Sequence, residues 1–162
     1  MKKILIVEDD SKIATALGIR LEAAGYSVLR AADGYRGLQL VLRERPALII
    51  MDVWMPVGIG FSVAQQMQVL GITGIPSIFI TASKLKSLRE TVLELGAAAF
   101  FEKPYDSKEL LRTIGRALEQ KDTAAATHPI GSNERSTVEP PGIAVSTGAG
   151  LRVNTGQDGR LS

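Results

Sequence analysis

Two patterns of apolar positions alternate along the first 120 residues. Short, continuously apolar runs rich in β-branched residues stand at Lys3–Val7, Tyr26–Arg30, Ala47–Met51, Ser77–Ile80 and Ala99–Phe101. Between them lie stretches with helical spacing. Ser11–Ala24 places Ile13, Leu17 and Leu21 on one stripe and stops at Gly25, a residue that readily takes the left-handed conformation of a helix end. Gly34 to about Arg43 turns Leu38, Val41 and Leu42 inward, with Pro46 beyond its end. Gly60–Leu70 and Leu85–Leu95 each end at a glycine, and Ser107–Glu119 carries Leu110, Leu111, Ile114 and Leu118. Strands that do not alternate with polar residues are covered on both faces, and parallel strands need crossover helices. Five βα units therefore predict an α/β fold, a doubly wound, five-stranded parallel sheet with helices on both faces.

The pattern stops near residue 120. All eight aromatic residues precede position 106, and Gly, Pro, Ser and Thr fill 18 of the last 42 positions. So few large aliphatics cannot offset an ordering cost of about 1–2 kcal/mol per residue. One domain over 1–120 followed by a flexible, disordered tail over 121–162 is expected. A net charge of +2 from nineteen basic and seventeen acidic residues is too even for an electrostatic nucleic-acid binder, so no direct nucleic-acid partner is expected. The absence of cysteine excludes disulfides, thiolate metal sites and Cys nucleophiles. MKKILIVEDD meets acids after too few apolar residues for a signal peptide, and no run reaches the ~18 residues of a membrane span. A cytoplasmic protein without a membrane partner is the expectation.

Open α/β sheets bind ligands past the carboxyl ends of their strands, so the residues found there carry the chemistry. Glu8, Asp9 and Asp10 follow the first strand, Asp52 the third, Thr81 the fourth and Lys103-Pro104 the fifth. Hard oxygen donors of this kind suit magnesium, which retains water and takes one or two carboxylates with a phosphate oxygen. A lysine aimed at the same point offers a compact positive charge to a phosphoryl group. That edge reads as a site for metal-assisted phosphoryl transfer.

IVEDD at 6–10, MDVWMPVGIG at 51–60, ITAS at 80–83 and GAAAFFEKP at 96–104 stand in the order and at the spacing of one family. Over about residues 3–118 the chain resembles the receiver domain of two-component response regulators. The resemblance implies the flavodoxin-like strand order 2-1-3-4-5. It implies Asp52 as the phosphoacceptor, attacking a phosphohistidine of a sensor histidine kinase or histidine phosphotransfer protein. Mg2+ would be held by Asp9, Asp52 and the backbone carbonyl of Trp54, with Glu8 acting mainly through a metal-bound water. Lys103, through a bond to Pro104 that is cis in the family, would pair with a phosphoryl oxygen. Thr81 and Phe100 would be the switch residues, altering the face built from the fourth helix, fifth strand and fifth helix for a separate protein effector. Trp54 and Ser83 would flank the path of the hydrolytic water and tune the lifetime of the phosphorylated state.

Each residue has a plainer reading. Asp10 suits a helix N-cap, Thr81 a turn cap, and Lys103 a salt bridge to Asp52. Phe101 reads as core, and His128, the sole histidine, as a bystander in the tail. Departures from the family are also visible. Ala98 and Ala99 stand where the winged-helix class carries an acidic pair, Thr113 where it carries an arginine, and Ile59 where Asp or Asn is usual. No second domain of a helix-turn-helix, hydrolase or cyclase type is seen, so the expectation is a stand-alone switch and not an enzyme. The alternatives are a phosphorylation-independent scaffold and a Mg2+-dependent phosphohydrolase. The second would need an acid two residues past Asp52, where Trp54 stands.

Overall fold

The computed structural model describes residues 1–53, 60–84 and 86–127, leaving aside the side chains of 60–62, 126 and 127. Strands β1 (Lys3–Val7), β2 (Ser27–Ala31), β3 (Leu48–Asp52), β4 (Ser77–Thr81) and β5 (Ala99–Glu102) alternate with helices α1 (Ser11–Ala23), α2 (Gly34–Glu44), α3 (Gly60–Val69), α4 (Lys86–Glu94) and α5 (Ser107–Thr127). The strands form one parallel sheet in the order β2-β1-β3-β4-β5. Both the doubly wound sheet and the implied strand order are observed.

Alternation along the strands divides the interior in two. Ile4, Ile6, Leu48, Ile50, Ile78 and Ile80 meet Leu17 and Leu21 of α1 and Leu110, Ile114 and Leu118 of α5. Their sequence neighbours Leu5, Val7, Ile49, Met51 and Phe79 meet Val41 of α2, Val63 and Met67 of α3 and Val92 of α4. β3 and β4 are buried at every position, which is why neither shows polar alternation in sequence.

The helix stripes differ from expectation at informative places. In α1, Ala14 and Gly18 join Leu17 and Leu21 inside, while Ile13 is only half-buried. In α2 the buried line is Gly34, Gly37 and Val41, so Leu42, expected inside, is 54% exposed. The cause is close packing: a Cβ on Gly37 would stand 3.0 Å from Cγ2 of Val7. Seating the glycine face of α2 on β1 turns Leu42 away. The predicted end of α5 at Glu119 is also corrected. The helix continues to Thr127, because alanines favour it and because Lys121 and Asp122 are tied back to the sheet. Lys121 Nζ donates to the Ala47 carbonyl at 3.2 Å, and Lys2 Nζ pairs with Asp122 Oδ2 at 2.6 Å. Residues 121–127 thus belong to a helix, while the rest of the expected tail, with His128, lies outside the described residues.

Candidate phosphoacceptor site

Strand register brings the chemistry together. β1 and β3 end side by side, with Val7 opposite Met51, and Asp52 lies opposite Ile80 on β4. Thr81 lies opposite Glu102, and the Lys103 N–H donates to the Thr81 carbonyl at 2.7 Å. Glu8, Asp52 and Lys103 share the parity of Ile6, Ile50 and Phe101, the face packed on α1 and α5. Accordingly, Lys103 Nζ donates to Asp52 Oδ2 at 2.7 Å and to Glu8 Oε2 at 3.1 Å. The bond from Lys103 to Pro104 is cis.

Both carboxylates are nearly out of solvent, Glu8 at 7% and Asp52 at 8% exposure. Burial raises the Glu8 pKa, and the neighbouring Asp52 charge adds to this, against the lowering effect of Lys103. Burial alone would lower Lys103, but hydrogen bonds and charges from Asp52 and Glu8 outweigh it and leave the ammonium above the ordinary lysine range. One fixed cation therefore holds two buried anions, and the pocket carries an excess negative charge.

Asp9 is exposed at the same edge. Asp10 serves as the N-cap of α1, accepting from the Lys12 and Ile13 N–H groups at 2.8 and 3.1 Å. Those same hydrogen bonds hold its carboxyl below the usual aspartate value. Thr81 is wholly buried, and its hydroxyl oxygen accepts from the Ser83 N–H at 3.1 Å, the capping role read for it in sequence. By alternation Thr81 shares the face of Phe79, and Phe100 packs partly buried on that same second core. Phe101 packs on the first core with its ring edge-on to Tyr105, 6.1 Å between centroids. Trp54 and Ile59 lie outside the described residues.

The direct Glu8–Lys103 contact was not anticipated, since sequence placed Lys103 against Asp52 alone. Its signal was the shared parity of the two positions past β1 and β5. Among the described residues no three acidic or histidine side chains close into a metal-sized cage. Magnesium does not need one, because it keeps several waters and takes few carboxylates. The hard oxygen donors and the uncompensated negative charge fit that ion, with Glu8, Asp9 and Asp52 as the residues that would hold it.

A model of the response regulator receiver domain matches residues 4–115. The chain is 38% identical over 134 residues to the probable transcriptional regulator ycf27 of Cyanophora paradoxa, covering 82% of this chain and 55% of that protein. It is 32% identical over 133 residues to the alkaline phosphatase synthesis transcriptional regulatory protein PhoP of Bacillus subtilis, again 82% and 55%. It thus spans about half the length of the curated relatives it matches. Among solved structures it is similar to a CheY-like receiver domain protein of Methanospirillum hungatei, with TM-score 0.72, 29% identity and coverage of 76% of this chain and 98% of that one. Chemotaxis protein CheY4 of Vibrio cholerae aligns with TM-score 0.67 and 30% identity, covering 72% and 98%. Sheet order, carboxylate–lysine edge and sequence likeness converge, and the chain belongs to the receiver domain family of two-component response regulators.

Proposed function

We propose that this chain is a phosphorylation-operated switch with Asp52 as its phosphoacceptor. The observation that carries the reading is the pairing of buried Asp52 with Lys103 at 2.7 Å, next to a second buried carboxylate. A carboxylate oxygen of Asp52 attacks phosphorus of a phosphohistidine on a sensor kinase or phosphotransfer protein. The P–N bond breaks, the imidazole leaves with the electron pair and takes up a proton, and an acyl phosphate remains on Asp52. Glu8, Asp9 and Asp52 would hold magnesium, which would supply the positive charge that offsets repulsion between these acids and an incoming phosphoryl group. Lys103, partly buried and held as an ammonium, moves its contact from the Asp52 oxygen to a phosphoryl oxygen.

The response follows from the side-chain neighbours. The Thr81 hydroxyl leaves the Ser83 N–H for the phosphoryl group, Phe100 turns inward on the same sheet face, and the α4–β5–α5 surface changes for a protein effector. The curated relatives are named as transcriptional regulators, which favours an output in transcription control.

The test is intact mass after exposure to acetyl phosphate. With Mg2+ the wild-type chain gains the mass of one phosphoryl group, while chelated samples and Asp52→Ala do not. Equal labelling of Asp52→Ala rejects the assignment, and an unlabelled wild type under every donor favours the scaffold reading.

A further inference from the structure

At the end of the sheet opposite Asp52, a cavity of about 550 Å³ opens between the carboxyl ends of α2 and α3 and the loop entering β4. Leu42, Leu70, Ile72 and Ile75 line it, and its charged lining residues are Arg45 and Lys121. Leu42 and Leu70, both part of the lining, are 54% and 55% exposed. Large aliphatics exposed together around a cavity are the kind of surface that a partner covers.

The two cations indicate the chemistry of the cover. Among the described residues neither Arg45 nor Lys121 is in an ion pair, and no acid lines the cavity. Lys121 is half-buried, with its Nζ on the Ala47 carbonyl, while the adjacent Asp122 is taken by Lys2. Burial pulls the Lys121 pKa down, and the charge of Lys2 adds to this, against the raising effect of the adjacent Asp122.

Arg45 supplies an independent observation. It ends α2 at φ 45°, in the left-handed region where glycine is the unstrained choice. Glycine would hold that turn without strain, so the fold itself does not call for an arginine there.

We propose that this surface docks a segment of another protein that is apolar on one side and carries carboxylates beside its apolar residues. The carboxylates pair with Arg45 and Lys121, and the apolar side covers Leu42 and Leu70. A second copy of this chain is the poorer occupant, since a two-fold pairing through this face sets its cations against themselves. The surface is remote from Asp52 and does not depend on its phosphorylation.

The probe is a displayed random peptide library, selected on the full chain after depletion on Leu42→Ser/Leu70→Ser. Enriched peptides combine Leu, Ile or Phe with Asp or Glu. They bind Arg45→Gly and Lys121→Gln at least tenfold more weakly than wild type, and Asp52→Ala equally well. Arg45→Gly melts no lower than wild type, which separates lost binding from lost folding. No enrichment, neutral or basic sequences, or unchanged binding to both cation variants overturns the proposal. So does concentration-dependent self-association in sedimentation that Leu70→Ser abolishes, which assigns the face to a second copy.

Discussion

Lys103 is the residue on which the site balances. Two carboxylates at 7% and 8% exposure lie side by side, and one ammonium bonds to both. Lys103→Met leaves two buried, adjacent anions without a counter-ion. Urea unfolding of that variant is expected to give a stability lower by about 3 kcal/mol at neutral pH, the scale of a broken buried pair. The same substitution removes the charge that the proposed reading sets against the phosphoryl group. A variant as stable as wild type would mean that the carboxylates are solvated, and that Lys103 is not their counter-ion.

Elements are held by caps at their ends and by a few large side chains in their middles. Asp106 caps α5: its carboxylate accepts from the Lys108 and Glu109 N–H groups at 2.6 and 3.0 Å. These bonds hold its pKa below the ordinary value of 3.8. A carboxyl lowered on folding stabilises the fold above its unfolded pKa, and the gain is lost as pH falls through the folded value. The difference in melting temperature between wild type and Asp106→Asn should therefore be constant above about pH 5 and shrink as acid protonates Asp106. A gap independent of pH would show that the carboxylate charge plays no part in the cap. In the middle of the same helix, Ile114 is wholly buried among Leu17, Leu21, Ile50 and Ile80. Ile114→Ala should cost about 3 kcal/mol in chemical denaturation, from lost transfer energy and the cavity left behind. A cost below about 1 kcal/mol would mean that α5 is loosely seated.

On the scale of the whole molecule, the sheet separates the acceptor from its response. Glu8, Asp52 and Lys103 belong to the face packed on α1 and α5, whereas Thr81 and Phe100 belong to the face of α2 to α4. The link is the backbone of β4 and β5, joined by the Lys103 N–H to the Thr81 carbonyl. Under the proposed function, phosphorylation should alter amide exchange in 86–105 more than in 11–44. Equal change in both segments would favour global loosening over a directed switch. No described helix is long and apolar enough to cross a membrane.

The sequence by itself determined the elements and the inventory of the site. Five apolar β-branched runs separated by helical spacing admit little besides a doubly wound sheet, because each buried strand and each amphipathic stripe must find a cover. The identities and order of Glu8, Asp52, Thr81 and Lys103 at or just past the strand ends were equally legible, since four such residues at one sheet edge have few joint structural reasons. Tertiary structure alone decided which groups touch. That Lys103 holds Glu8 as well as Asp52 follows from register between strands ninety residues apart in the chain, which local periodicity does not encode. Leu42 turned outward because α2 approaches β1 through Gly37, a packing choice invisible in the spacing of leucines. The run of α5 to Thr127 depended on contacts to Lys2 and Ala47, the residues just before β1 and β3. Periodicity reports which side of an element is buried; what lies against that side, and how closely, is set only when the elements pack.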